Sequence, residues 1–271
     1  MQKPLLLIGY GRMGSAMLKG WLDCGISADT ITVVEPNNNA AKVIHNQLNV
    51  ATVSSVDELL PSYNPATIVI AVKPQVMDKM LASYQRFVAP NTVFLSIAAG
   101  KTLAYFEKTL GLDAAIIRAM PNTPATVMRA VTVTTQNKNV TPQQRQNGKQ
   151  LLEAIGDVFE IDDESQMDAV TALSGGGPAY VFLLVETLTK AGIKAGLPEN
   201  LAADLARLTV SGSGEMLRQS DEHPSILRQN VTSPGGTTAE ALAVLMADDG
   251  WQPLMNDAIK NAANRSRELA E

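Results

Sequence analysis

A single cysteine, Cys24, stands among 271 residues, so neither an intrachain disulfide nor a cysteine-ligated metal cluster is available. That usage fits a reducing compartment, the cytoplasm. Aromatic residues are scarce at 4%, which leaves Leu, Val, Ile, Ala and Met to build the cores. The net charge is −5 and no run of Lys or Arg occurs, whereas a nucleic-acid binder ordinarily carries a basic stripe. Histidine is almost absent. His45 and His223 belong to no metal-ligand or triad pattern and read as solvated or structural. Long apolar runs are missing too. The longest uncharged stretch, residues 169–185, is interrupted by Ser174-Gly175-Gly176-Gly177-Pro178 and falls short of the roughly 20 apolar residues of a membrane span. It reads as a buried helical region. The start, Met1-Gln2-Lys3-Pro4-Leu5-Leu6-Leu7-Ile8, imitates a signal peptide but stops at Gly9 with no small-residue cleavage site after it.

What is present is a globular composition, 45% apolar and 18% charged, with length enough for two domains of roughly 150 residues. Apolar runs predict strands at 5–8, 31–34, 67–72, 92–98 and 115–119, with a weaker one at 50–53. Helical patterns fall between them at 15–22, 39–48, 75–87 and 103–110. Continuous apolar strands alternating with helices specify a Rossmann-like, doubly wound parallel sheet covered on both faces. Strands at 130–135 and 157–161, around a helix at 142–155, extend that sheet at one edge. After Asp163 the strand signal ends and nearly everything reads as helix, with a break at glycines 175–177. The expected division is a dinucleotide-binding domain over 1–163 and an all-α domain over 164–271.

Gly9-x-Gly11-x-x-Gly14 lies between the first strand and the first helix. In a dinucleotide site the first glycine makes the tight turn and the second admits a pyrophosphate. The third packs helix on strand, and the helix N-terminus supplies partial positive charge. Glu35 ends the second strand about 20 positions on, where an acid accepts from ribose hydroxyls and repels a 2′-phosphate. The donors of Pro36-Asn37-Asn38-Asn39 leave phosphate binding open, and a solvated strand-end acid is the other reading of Glu35. Ala71-Val72-Lys73-Pro74 closes the strongest later strand, and Lys73 is either a partner for the dinucleotide's charge or an ordinary surface lysine. Ala98, in Ser96-Ile97-Ala98-Ala99-Gly100, is small enough for a flat ring to approach, and Asn122 follows at the same crevice edge. In the helical half, Gly175-Gly176-Gly177 form either an anion-holding nest or a tight packing point. Asn230-Val231-Thr232-Ser233-Pro234-Gly235-Gly236-Thr237-Thr238 gathers amides and hydroxyls ahead of a helix. That is a carboxylate site or an elaborate N-cap.

Together these segments resemble the pyrroline-5-carboxylate reductases. The most specific are Ala71-Val72-Lys73-Pro74-Gln75, Met120-Pro121-Asn122-Thr123-Pro124, Leu173-Ser174-Gly175-Gly176-Gly177-Pro178-Ala179-Tyr180 and 230–238. The resemblance implies NAD(P)H-dependent reduction of 1-pyrroline-5-carboxylate to L-proline, the last step of proline synthesis. It implies a homodimer with interlocked helical domains, often a ring of dimers, with the substrate between the nicotinamide and the helical domains of both subunits. Carried over by position, NADP or NAD is held by Ile8, Gly9, Gly11, Arg12, Met13 and Gly14, by Glu35, by Ala71, Val72, Lys73 and Pro74, and by Ala98. The substrate is held by Val231, Ser233, Gly235, Gly236, Thr237 and Thr238, with Asp221 where the family often has an acid. Thr238 is the catalytic candidate, orienting the ring nitrogen and relaying its proton. Two departures stand out: Glu35-Pro36 replaces the Ser, Asn or Arg-bearing turn many members use for the 2′-phosphate, and Gly176 stands where many have Ser.

Two other readings are weighed. A β-hydroxyacid dehydrogenase of the same architecture relies on a lysine in the long helix after the domain boundary, and residues 165–185 contain none. A non-catalytic NAD(P)-sensing dimer is disfavoured by the complete 233–238 segment.

Overall fold

Each apolar run of the first half becomes a strand of one eight-stranded sheet. The computed structural model describes residues 4–270, so the first three residues of the leader-like start, and Glu271, lie outside the described residues. β1 (Leu5–Ile8), β2 (Ile31–Val34), β3 (Ala51–Val53), β4 (Thr67–Ile70), β5 (Val93–Ser96) and β6 (Ala115–Met120) run parallel in the order β3-β2-β1-β4-β5-β6. β7 (Ala130–Gln136) then pairs antiparallel with β6, and β8 (Gly156–Glu160) forms the far edge parallel to β7. The two edge strands thus extend the sheet as the sequence suggests.

The strands read as unbroken apolar runs because alternate residues feed two separate cores. Leu5, Leu7, Ile31, Val33, Val69 and Leu95 meet Trp21 of α1 (Arg12–Asp23), Ile44 of α2 (Asn38–Leu48) and Leu152 of α5 (Pro142–Glu153). Leu6, Ile8, Val34, Ile68, Ile70 and Phe94 meet Met77 of α3 (Pro74–Met80) and Phe106 of α4 (Leu103–Leu110). Two of the polar groups inside tie elements together. Trp21 donates its indole N–H to the Leu151 carbonyl at 2.8 Å. Gln144, half of a capping box with Thr141 at the start of α5, also donates to the carbonyls of Pro90 and Thr92 at 3.2 Å.

Helix boundaries differ from expectation in two instructive places. α1 begins at Arg12 and not at 15, so Gly14 lies in its first turn. The helix expected over 75–87 is α-helical only to Met80 and continues as a 3-10 helix, Leu81–Phe87. Its buried residues, Leu81, Tyr84 and Phe87, recur every third position, which matches the 3-10 period.

Residues up to 175, joined by those from 262 onward, form one compact unit, and residues 176–261 form another. The sequence division at 163 follows the end of the last strand. The contacts add α6 (Met167–Val170), a π-helical turn (Thr171–Gly175) and the end of α11 (Trp251–Ala270) to the sheet unit. There Ser266 donates to the Asp168 carboxylate at 2.6 Å. The second unit contains α7 (Gly177–Lys194), α8 (Glu199–Gln219), α9 (Pro224–Asn230), α10 (Thr237–Leu245) and the first part of α11.

The π turn ends at Gly175, Gly176 is a bend and α7 starts at Gly177, so the helix breaks and restarts here as the sequence predicts. None of the three has a positive φ, which rules out the alternating backbone of an anion nest. Packing explains Gly175, where a Cβ would lie 2.7 Å from the Met120 methyl. Taken across that bend, Glu164–Lys194 is a 31-residue helical stretch with an 18-residue window of mean hydropathy 1.3, long and apolar enough to cross a membrane by length and composition, contrary to the sequence reading. The expectation of a buried helix also fails within one chain. No residue of α7 is buried, and Phe182 is 63% exposed.

Candidate active site

The carboxyl ends of β1, β2 and β4 open on a cavity of about 600 Å³. It lies where the strand order reverses, between β1 and β4, the position at which doubly wound sheets bind ligands. Ile8, Gly9, Tyr10 and Gly11 line one side, Val34, Glu35 and Pro36 a second, and Ala71, Val72 and Lys73 a third. The three fingerprint glycines have three different reasons to be glycine. Gly9 has φ +91°, a left-handed turn, and its amide bonds the Val34 carbonyl at 2.9 Å. A Cβ on Gly14 would collide with the Gly9 carbonyl oxygen. A Cβ on Gly11 would meet nothing within 4 Å, so its missing side chain leaves open space. Gly11 also N-caps α1 without a side-chain cap, and the first-turn amides of Arg12, Met13 and Gly14 have no carbonyl one turn back. An open backbone face beside uncapped amides fits a dinucleotide's pyrophosphate.

Lys73 is exposed at the N-cap of α3, with Pro74 in the first turn behind it. Ala98 is buried just after β5, its amide bonded to Ser96 Oγ at 3.2 Å. Arg12, Met13, Gly14, Pro74 and Ala98 do not line the cavity, although Arg12 to Gly14 begin the helix beside it. Sequence reasoning missed Ser54, Ser55 and Asp57 after β3, and Lys79, Ser83 and Tyr84 beyond α3's first turn. The pairing of Val34 with Val53 puts β3's end on the same rim, a signal present in the weak strand at 50–53. Burial, reinforced by the charge of Asp57, pushes the Tyr84 phenol well above its ordinary pKa.

Glu35 lines the cavity with its carboxylate bonded to two backbone amides. Its Oε2 accepts the Tyr10 amide at 2.8 Å and its Oε1 the Asn37 amide at 2.9 Å. The Asn37 side chain caps α2, its Oδ1 accepting from Asn39 and Ala40 at 3.0 and 3.2 Å, so that oxygen is committed to the helix.

Three further anchors hold the loops around the sheet's carboxyl edge. Asp78 of α3 accepts Tyr105 OH at 2.5 Å and Lys101 Nζ at 3.1 Å, and the ammonium lies 3.9 Å from the Tyr105 ring centroid. The Tyr105 hydrogen bond first, then Lys101, holds the Asp78 carboxyl below its ordinary pKa. Arg118 on β6 pairs with Glu164 at 2.7 Å, and the same carboxylate accepts the Leu103 amide at 2.8 Å. Asn122 accepts the Val131 amide at 2.9 Å and donates to the Ser174 carbonyl at 3.1 Å, tying the β6–β7 corner to the π turn.

In the helical unit, Val231, Ser233, Gly235, Gly236, Thr237 and Thr238 are gathered at the start of α10. Gly235 turns the chain with φ +67° and Gly236 is the N-cap. No side chain caps α10, so the elaborate N-cap is not what this segment builds. The Thr237 and Thr238 amides occupy the first two helical positions, which have no intrahelical acceptor. Ser233 Oγ lies 2.5 Å from where a Gly236 Cβ would stand, so only glycine leaves that hydroxyl room. Ser233 and Thr237 are exposed and Thr238 is half-buried. Asp221 sits in the α8–α9 connection, and among the described residues no hydrogen bond or ion pair joins it to this group. His223 caps α9 through Nδ1, accepting the Ser225 amide at 3.3 Å, and His45 is exposed on α2.

Residues 164–269 match the family model described as pyrroline-5-carboxylate reductase dimerisation, and residues 5–100 match NADP oxidoreductase coenzyme F420-dependent. A pyrroline-5-carboxylate reductase of Synechocystis is 39% identical over the whole of both chains. One of Escherichia coli is 34% identical, again over the whole of both. A pyrroline-5-carboxylate reductase structure from Coxiella burnetii superposes with TM-score 0.93 at 31% identity, covering both chains fully. A Plasmodium falciparum pyrroline carboxylate reductase with NADP bound gives 0.82 at 30% identity, over 100% of this chain and 99% of that one.

Proposed function

The chain belongs to the pyrroline-5-carboxylate reductase family, and we propose on that footing which of its own residues carry the reaction. The enzyme reduces the C=N bond of 1-pyrroline-5-carboxylate to give L-proline, with NAD(P)H as the donor. The bound reduced nicotinamide supplies the hydride for the imine carbon, and a proton on the ring nitrogen completes the amine. Gly11 and the first amides of α1 hold the pyrophosphate. Lys73 offsets its charge, and Ala71, Val72 and Ala98 leave room for the nicotinamide half. The substrate carboxylate sits on the Gly236, Thr237 and Thr238 segment with Ser233 beside it. Thr238 orients the ring nitrogen and relays its proton; a threonine hydroxyl is too weak an acid for more than that. Positioning therefore does most of the work.

The observation that carries this substrate reading is the uncapped N-terminus of α10, where amides and hydroxyls are left for an anion. The exposed apolar face of the 164–194 run is read as a subunit interface and not as a membrane span, since it opens the segment matched to the dimerisation model. A ring of dimers, a cytoplasmic location and the absence of nucleic-acid or membrane partners complete the proposal. The test is oxidation of NADH and of NADPH by the purified chain with and without 1-pyrroline-5-carboxylate, with L-proline identified as product. Substrate-dependent oxidation is expected, and none with either cofactor overturns the reading.

A further inference from the structure

Glu35 faces the cofactor cavity, yet its carboxylate is already held by the protein. The two amides that hold it come from different turns: Tyr10 follows β1, and Asn37 follows β2. Both carboxylate oxygens are used, one per amide, at 2.8 and 2.9 Å. Two backbone N–H groups converging from neighbouring strand ends are the donor arrangement an oxyanion seeks. Hydrogen bonds to an ionised acceptor are about twice as strong as neutral ones, so a neutral ligand group does not readily displace this one. The turn is also pinned from behind, because the Glu35 amide donates to the Val53 carbonyl at 2.9 Å. Each carboxylate oxygen keeps a further lone pair, which a ribose hydroxyl can use and a phosphate cannot.

We propose that Glu35 is a resident anion: it fills the Tyr10–Asn37 amide cradle that a 2′-phosphate needs, and so makes this enzyme select the dinucleotide that lacks one. An acid in this position is usually credited with a direct bond to ribose. Here its first partners are protein amides, and selection follows from occupancy as well as charge. The lysines that line the same cavity, Lys73 and Lys79, remain for the shared phosphates. The proposal rests on the family reading for the reaction, but the choice between dinucleotides is measured without substrate.

The experiment titrates NADH and NADPH into the full chain and follows nicotinamide fluorescence. The wild type is expected to bind NADH at least tenfold more tightly. Glu35→Ser frees both amides, so the NADH:NADPH affinity ratio should fall tenfold or more. Inorganic phosphate, used as a probe, should then raise the Tm of Glu35→Ser by several degrees more than that of the wild type. Should Glu35→Ser fail to fold, Glu35→Gln keeps the size and turns one acceptor into a donor facing an amide, and its ratio should fall at least threefold. Equal or tighter NADPH binding by the wild type overturns the proposal. So does an unchanged ratio in the folded variant, or equal phosphate stabilisation of both proteins. Dinucleotide binding with the expected ratio but no reduction of 1-pyrroline-5-carboxylate overturns the functional reading and leaves this one standing.

Discussion

Gly11→Ala and Gly14→Ala should damage the protein in opposite ways, although both replace a glycine of one turn by one methyl. At Gly14 the added Cβ collides with the Gly9 carbonyl oxygen, with the Gly9 carbonyl carbon 3.2 Å away. Backbone cannot rotate aside as a side-chain tip can, so α1 must lift from β1. Overpacking of this kind costs about 1–3 kcal/mol, and a backbone-on-backbone contact belongs at the upper end. At about 2–4 °C per kcal/mol for a chain of this size, the melting temperature should fall by roughly 6–12 °C. At Gly11 the backbone is extended (φ −71°, ψ −170°) and the Cβ meets nothing, so the fold should barely register the change. Alanine is a poorer N-cap than glycine, which allows a loss of about 1 kcal/mol and no more than about 4 °C. The methyl instead fills the space proposed for the pyrophosphate. Dinucleotide Kd should rise about 10–100-fold, equivalent to about 1.4–2.7 kcal/mol. Thermal melts and nicotinamide-fluorescence titrations on both variants decide. A Gly11→Ala protein that binds NADH like the wild type would show that the pyrophosphate lies elsewhere. A Gly14→Ala protein with unchanged Tm would show that the helix–strand contact is not tight.

Thr238→Ala should lower kcat by about 10–10³-fold with little change in dinucleotide Kd, while Thr238→Ser retains much of the activity; near-normal turnover by the alanine variant rejects the catalytic assignment. Light scattering should give a mass of at least two chains at every concentration that retains activity, and a stable, active monomer refutes the interface reading of α7. Asp78, held below its ordinary pKa by Tyr105 and Lys101, contributes stability that is present above the ordinary carboxylate range and is lost as pH falls through its lowered value. The Tm gap between wild type and Asp78→Asn should therefore close on acidification below pH of about 4, and a gap that widens there contradicts the sign.

Local pattern exposed the strands because each serves two cores: Leu5 and Leu7 go one way and Leu6 and Ile8 the other, which leaves no polar position to hide the signal. The glycine fingerprint was legible because its spacing is local: Gly14 packs on the Gly9 carbonyl and Gly9 takes a left-handed turn within one strand-to-helix connection. Long-range partners were not legible. Gly175 yields to Met120, 55 positions away in the chain and invisible to any local period. That the Glu35 carboxylate also holds the Tyr10 amide, 25 positions earlier, could not be read from its own strand. The 81–87 segment was mistaken for α-helix because over seven residues a period of three and one of 3.6 place nearly the same side chains together.

The apolar run of α7 was legible as buried and is exposed in the single chain, and both statements are physically consistent. Sequence reports that a face avoids water; it does not report which chain covers it. Within one chain α7 and α10 bury no residue, and α8 buries only Ala202 and Ala206. Ordering a residue costs roughly 1–2 kcal/mol of backbone entropy, and exposed Leu183, Leu205, Leu208 and Val244 return little of it. Burial of such side chains contributes about 1.5–3 kcal/mol each only once water is excluded from them. The helical unit therefore lacks, within one chain, the apolar burial that would hold it folded. A second copy supplies the missing burial, which is why the segment matched to the dimerisation model is also the least buried part of the molecule. On this argument dilution should unfold the helical segment as it separates the subunits, and a folded, dissociated helical unit would show that its small internal contacts suffice.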